Sequence, residues 1–357
     1  MRAFINSIGN ISPQHTLDND QFLTEVINNR GTNLVCVEPD YKNYINRRYL
    51  RRMSRAIKMG VSAAKICLGE AQMDNPDAII VGTGLGCVED TERFLTAIYE
   101  NEEEVMSPTQ FIQSTHNTLA SQIAIMLGCD NYNFTYVHRG FSFESALLDA
   151  LMQIDVEKTA RNILVGGADE STESYLTITQ RLRQWKPESF EQLDLLQNHF
   201  HGSLPGEGAA FFLLGDEPTE NCYAQLSDVK MLYKPDSDEV ITREIEALLD
   251  QNELTLADID LVLLGLNGST KIDRVYHQII ETYFRDSPMG YFKHLCGEYK
   301  TATAFAVWMA AQVLSKQEVP DVVKLRPFTS EKLRNILIYN NYSNINHSIL
   351  LVRHAES

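Results

Sequence analysis

Six cysteines are the first candidates for chemistry in this 357-residue chain: Cys36, Cys67, Cys87, Cys129, Cys222 and Cys296. No two stand as Cys-x-x-Cys, so the usual spacing of a zinc site is missing, and thiols this sparse do not make a disulfide framework. Cys296 follows Lys293 closely, and a neighbouring ammonium can favour a reactive thiolate. The commoner use of such a cysteine is as a small buried filler. The same holds for Cys87, which sits on the glycine turn that begins at Gly82. A second group is cationic: Arg47, Arg48, Arg51, Arg52, Arg55 and Lys58 crowd into one short segment. They do so in a chain with 31 Lys plus Arg against 48 Asp plus Glu, a formal charge of −17. That balance excludes general nucleic-acid binding, because polyphosphate would be repelled. Any acidic partner has to use a local basic patch.

The elements that position these residues are legible as short apolar runs, several of which lead straight into glycine. Ala78-Ile79-Ile80-Val81, Ile163-Leu164-Val165 and Leu261-Val262-Leu263-Leu264 are of this kind. Phe211 to Leu214, Ile336 to Tyr339 and Ile349 to Val352 resemble them. Continuous runs of this length predict strands buried on both faces. Between them, Leu50, Met53, Ile57, Val61, Ala64 and Leu68 keep a helical rhythm, and Phe143, Ala146, Leu147, Ala150 and Ile154 keep another. The basic residues fall mostly opposite the first stripe. Alternating strands and helices predict an α/β fold. The hydrophobic content of 44% is enough for a large core. The motif-poor stretch Pro218 to Asp238 is the expected junction between an N-terminal half, 1–217, and a C-terminal half, 218–357, the two forming one compact unit. No signal peptide, membrane insertion or metal site is expected, which leaves the cytoplasm as the default address.

Four segments resemble the β-ketoacyl synthases, the condensing enzymes of the thiolase superfamily. They are the basic stretch from Ile45 to Ala71, the glycine turn Gly82 to Thr91, the stretch from Ser107 to Gly128, and Gly166 to Glu170 followed later by Leu204 to Leu214. The Gly206-Glu207-Gly208-Ala209 run before a strand is the most specific of them. The resemblance implies a thiolase fold: two similar halves in five layers, α-β-α-β-α, usually dimeric. It also implies work on acyl groups carried by the phosphopantetheine of an acyl carrier protein, with no cofactor of the chain's own. The basic segment resembles the family's carrier-docking region, so Arg47, Arg48, Arg51, Arg52 and Arg55 become candidate docking residues. A solvated helix face is the simpler alternative.

The same resemblance locates a catalytic set that is not there. The family's cysteine position falls on Arg139, or on His138 if the alignment slips by one. Its first histidine falls on Asn267, in Asn267-Gly268-Ser269-Thr270, and its second on Glu298. Lys293 and Gly297 are retained. Neither Arg139 nor His138 can carry a thioester as a thiolate does, and an amide cannot shuttle a proton. The family's late glycine-rich turn reads Asn341 to Asn346, with Tyr342 and Asn346 as candidate substrate contacts and a stiffer loop expected from the lost glycines. Arg139 and Glu298 are expected to meet as a buried ion pair that plugs the pocket, with Asn267 adding a hydrogen bond.

These departures favour a non-condensing subunit similar to chain-length factors, paired with an active ketosynthase in fatty-acid, polyketide or aryl polyene assembly. Two rivals remain open. One is an acyltransferase or thioester-processing enzyme with altered chemistry using His138, Glu298 or Cys296. The other is a homodimer that binds an acyl chain or a carrier.

Overall fold

Every apolar run picked out above becomes a strand in the computed structural model, which describes residues 1–102, 104, 108–197, 201–329 and 332–355. Ser107, the first residue of one family-like segment, lies outside the described residues. The strands of the first half are β1 (Ala3–Ile11), the short β2 (Arg30–Gly31), β3 (Ala78–Gly82), β4 (Tyr132–Tyr136), β5 (Asn162–Asp169), the short β6 (Phe190–Glu191) and β7 (Gly208–Gly215). Those of the second are β8 (Ala224–Tyr233), β9 (Leu261–Leu264), β10 (Met289–Tyr291), β11 (Asn335–Tyr342) and β12 (Asn346–Arg353). The helices are α1 (Arg47–Leu50), α2 (Arg55–Glu70), α3 (Val88–Glu100), α4 (Pro108–Ser114), α5 (Thr118–Leu127) and α6 (Ser142–Leu151). They continue with α7 (Glu173–Arg181), α8 (Asp238–Gln251), α9 (Arg274–Thr282), α10 (Lys293–Cys296) and α11 (Thr303–Lys316).

Ten strands form one hydrogen-bonded sheet in the order β10-β9-β11-β12-β8-β1-β7-β5-β3-β4, while β2 and β6 pair separately. The order contains a repeat that is invisible in the sequence. Omitting β2 and β6, each half places its third, second, fourth, fifth and first strands side by side. In each half the second strand is parallel to its two neighbours and the fifth is antiparallel to its own. The halves meet where β1 pairs antiparallel with β8, Phe4 opposite Gln225.

Three apolar cores follow from strand alternation. Ile80, Leu261, Leu263, Ile336, Ile338 and Leu350 point to a central core with α6 and α11. Their neighbours Ile79 and Val81 face an outer core with α2 and α5. Val262, Leu264, Leu337 and Ile349 face the other outer core with α8 and α9. The two five-stranded halves of this sheet lie on either side of the central core, so helices outside, half-sheet, helices inside, half-sheet and helices outside make the five layers expected. The stripe Met53, Ile57, Val61, Ala64 and Leu68 is buried in the first outer core, and Phe143, Ala146, Leu147, Ala150 and Ile154 in the central one.

Two details differ from the sequence reading. The stretch Pro218 to Asp238 is not a plain junction, because β8 occupies about half of it and carries the hydrogen bonds that join the halves. The basic segment is two helices. Asn46 caps the single turn α1 by accepting from the Arg48 backbone, and α2 starts afresh after Ser54, whose backbone is extended. No helix among the described residues is long and apolar enough to cross a membrane.

Candidate functional site

Four loops at the ends of strands converge on one place. The first is the turn between β4 and α6. Ser142 braces it, its hydroxyl accepting from the His138 backbone at 2.8 Å and donating to the Arg139 carbonyl at 2.8 Å. Arg139 has φ +54°, in the left-handed region that costs a non-glycine residue energy. His138 and Arg139 are both exposed. Gly140 lies against the β11–β12 hairpin: a Cβ there would stand 2.7 Å from the Tyr342 Cβ and 3.1 Å from the Asn346 Cβ. The candidate substrate contacts Tyr342 and Asn346 are therefore gathered at the same turn as Arg139.

The second loop follows β9. Asn267 is fully buried, and its turn is held from three sides. Asp273 accepts from the Asn267 and Gly268 backbone amides at 3.0 and 2.7 Å. Ser203 donates to the Asn267 carbonyl at 3.1 Å, and Lys186 to the Gly268 carbonyl at 2.7 Å. Burial pushes the Asp273 carboxyl up to about 6, against the pull of those amides, and lowers the Lys186 ammonium to about 8. Asp273, Ser203 and Lys186 belong to this site, yet no motif marks them in the sequence.

The third loop is α10 and the residues after it. Lys293 is fully buried and Glu298 nearly so. The Lys293 Nζ donates to Glu298 Oε2 at 2.8 Å, to Oε1 at 3.0 Å and to the Asn341 carbonyl at 3.4 Å. The Asn267 Nδ2 donates to Glu298 Oε2 at 2.6 Å. The Glu298 backbone is fixed in turn by the Leu204–Gly206 strand-like segment, with Glu298 N to the Leu204 carbonyl at 2.8 Å and Gly206 N to the Glu298 carbonyl at 3.1 Å. At Gly206 a side chain is impossible, since a Cβ would lie 2.0 Å from the Cys296 carbonyl oxygen.

The expected Arg139–Glu298 pair is thus corrected. Glu298 takes its cation from Lys293, one turn earlier in the same loop, while Arg139 is turned outward by its backbone and stays exposed. The expected hydrogen bond from Asn267 is present. Cys296 is fully buried, and burial pushes its thiol well up; Cys87 is likewise buried, its thiol pushed up to about 12. Neither is a ready nucleophile. The hairpin turn has positive φ at Ser343 and Asn344 and is braced by the Asn341 side chain, which accepts from the Asn344 backbone at 2.8 Å.

A cavity of about 520 Å³ opens onto this floor, lined by Trp185, Ser203, Ser269, Lys271, Glu298 and Tyr342 among others. The docking candidates divide. Arg47, Arg48, Arg51 and Arg52 are exposed. Arg55 is half-buried, and its guanidinium is already engaged: it forks onto the buried Glu207 carboxylate and also reaches Glu38. Glu207 further accepts from the Cys36 and Ser171 backbones at 2.9 and 3.1 Å. Arg55 therefore clamps the start of α2 to the Gly206-Glu207-Gly208 run.

Residues 42–188 match the family model of the beta-ketoacyl synthase N-terminal domain. Over the whole chain the fold matches solved ketosynthases. The ishigamide ketosynthase/chain length factor superposes with a TM-score of 0.77 at 17% identity, covering 99% of this chain and 98% of that one. A beta-ketoacyl synthase from Burkholderia phymatum gives 0.80 at 15%, covering 99% of both chains. A ketosynthase in complex with its chain length factor from Xenorhabdus doucetiae gives 0.74 at 15%, covering 99% and 98%. The chain has the thiolase fold of these ketosynthases, and residues 42–188 are similar to the beta-ketoacyl synthase N-terminal domain. No curated protein matches it significantly in sequence. In this ketosynthase-like fold, the three positions that the resemblance assigns to Cys, His and His hold an exposed arginine, a buried amide and a buried, ion-paired carboxylate.

Proposed function

We propose that this chain is a non-condensing subunit of the chain-length-factor kind, which pairs with an active ketosynthase and helps build a fatty-acyl or polyketide chain on an acyl carrier protein. The observation that carries this reading is the Lys293–Glu298–Asn267 cluster beneath an elbow that carries Arg139. Condensation on this fold needs a thiolate to hold the acyl group and imidazoles to manage protons and charge. Here the elbow offers a guanidinium, and the floor offers an amide and a carboxylate already engaged with each other. The solved structures of similar fold include ketosynthase/chain length factor pairs and an acyl-carrier protein in complex with its ketosynthase, which supports this kind of partnership. The exposed Arg47, Arg48, Arg51 and Arg52 would serve an acidic carrier on a chain that is otherwise strongly negative.

The reading of an altered thioester-processing enzyme is weakened by the burial of Cys296 and the engagement of Glu298. The experiment is co-expression with a cysteine-bearing ketosynthase, followed by purification and an assay with acyl and malonyl carriers. Equimolar co-purification, with turnover only in the pair, is the expected result. Condensation by the isolated chain overturns the reading, as does its isolation purely as a self-pair that ignores every ketosynthase offered.

A further inference from the structure

Glu298 and Tyr342 both line the cavity above the floor, and they present opposite hydrogen-bonding characters. At Glu298 the neighbouring donors are already turned toward the carboxylate: Lys293 to both of its oxygens and to the Asn341 carbonyl, Asn267 to Oε2. What reaches the cavity there is an acceptor. A carboxylate placed against Glu298 would meet its lone pairs, a repulsion that the Lys293 ammonium behind them only partly offsets.

Tyr342 is the converse. The Lys300 ammonium hydrogen-bonds the Tyr175 hydroxyl at 2.8 Å, lies 4.8 Å from the centre of that ring, and lies 5.8 Å from the centre of the Tyr342 ring. The Tyr342 hydroxyl is also within hydrogen-bonding reach of the Lys300 ammonium, which can only donate, so the phenol hydrogen is free for another acceptor. Burial pushes the Tyr342 phenol up to about 12, so that proton stays in place. Leu182, Trp185 and Ile272 supply apolar wall around these two groups. Arg183 and Lys271 also line the cavity, but both are exposed, where solvent and salt blunt their pull on anions.

We propose that this cavity binds a neutral, amide-headed aliphatic chain, its N–H donated to Glu298 and its carbonyl accepting from Tyr342, and that it rejects the matching carboxylate. Binding is a property of the isolated chain and does not depend on the pairing proposed above, so either can fail without the other. The probes are octanamide and octanoate, which share a tail and differ in the head. Calorimetric titration measures affinity, and Trp185 fluorescence reports the location, with the core-buried Trp308 as an insensitive background. The expected result is saturable octanamide binding that moves Trp185 emission, with octanoate weaker by roughly tenfold, as for one charged hydrogen-bond partner misplaced. Glu298→Gln, whose amide can donate to a carboxylate, should erase the preference. Tyr342→Phe, which removes only a hydroxyl, should weaken octanamide several-fold while the melting temperature holds, and it keeps the test decisive if the first variant fails to fold. Equal affinities, tighter octanoate, no saturable binding of either probe, or octanamide binding untouched in Tyr342→Phe overturns the proposal.

Discussion

The Lys293 ammonium stands 2.8 and 3.0 Å from the two carboxylate oxygens of Glu298, in a place where the lysine is wholly buried and the glutamate nearly so. The pair spans a single turn, closed by Gly297 at φ +78°. Two charges taken out of water together hold each other, but the desolvation of both offsets much of that attraction. The value of the pair lies in what its loss would strand. Glu298→Ala leaves the ammonium with the Asn341 carbonyl as its remaining acceptor among those seen here, and should destabilise the fold by ~3–5 kcal/mol. Glu298→Gln keeps the shape and should cost less. Urea unfolding of the three proteins checks the order; an alanine variant within about 0.5 kcal/mol of the parent would mean the site is wetter than its burial implies.

Glu144 should make stability fall as pH rises. Its carboxyl is fully buried at the start of α6, held by the Thr303 hydroxyl at 2.7 Å, while its second oxygen has no protein partner. Asn340 of β11 donates to the same hydroxyl at 2.8 Å, Ser348 of β12 stands close by, and Lys293 is the charged group that faces it. Burial raises the carboxyl from 4.5 to about 7. The unfolded chain therefore releases this proton near 4.5, whereas the folded chain keeps it to about 7. Between those values the native state holds more protons, so its stability declines as pH rises, and above 7 the penalty is constant. Glu144→Gln should remove that decline, stabilising the protein by up to ~3 kcal/mol on the alkaline side and by little in acid. Asp273 and Glu170 are raised as well, so the difference between variant and parent across pH is the quantity to read. A difference independent of pH would remove Glu144 from this role.

Arg55 and the exposed arginines should separate cleanly. Arg55→Ala leaves the buried Glu207 without its cation and should lower stability by ~3 kcal/mol. Changing Arg48, Arg51 and Arg52 together to Glu touches no core contact, and should leave stability within ~0.5 kcal/mol while weakening acyl carrier binding and its salt sensitivity. Denaturation curves and a low-salt carrier titration measure the two effects. Carrier binding unchanged in the triple variant would make the patch a solvated face and nothing more.

The sequence shows its core better than its seams. Runs such as Leu261 to Leu264 declare a strand because both faces are apolar. β1 and β8 do not: Asn6, Ser7 and Asn10 in one, and Gln225, Ser227 and Asp228 in the other, interrupt the pattern. The strands that join the two halves are therefore the ones periodicity misses. At the site, the meeting of Asn267 with Glu298 follows from positions that the family resemblance places together. The choice of Lys293 over Arg139 as the cation does not, because it turns on the left-handed backbone at residue 139 and on a tight loop at Gly297. Lys186, Ser203 and Asp273 were illegible for a different reason. They act on backbone amides and carbonyls of the Asn267 turn, and any residue with the right hydrogen-bonding atom could do so.

Arg139→Cys should restore a reactive thiol without restoring condensation. The turn keeps the geometry of a strand-to-helix elbow, with the side chain exposed and the first turn of α6 behind it. A thiol there would be accessible and near the positive end of the helix, both of which favour the thiolate. The native thiols offer the contrast. Cys67 and Cys87 are pushed up to about 12 and Cys222 to about 11, burial pushes Cys36 and Cys296 well up, and Cys129 is buried. Iodoacetamide at neutral pH should therefore label position 139 of the variant while the native protein stays nearly unlabelled, as peptide mapping by mass spectrometry would record. An acyl group could then load onto that thiol from an acyl carrier. The second step would still fail: Asn267 has no proton to shuttle, and Glu298, tied to Lys293, offers a charge of the wrong sign to a malonyl carboxylate. Acylation without condensation is the expected outcome. If the single substitution produced a condensed product, the Lys293–Glu298–Asn267 cluster would be no barrier to catalysis, and the nucleophile alone would separate this chain from an active ketosynthase.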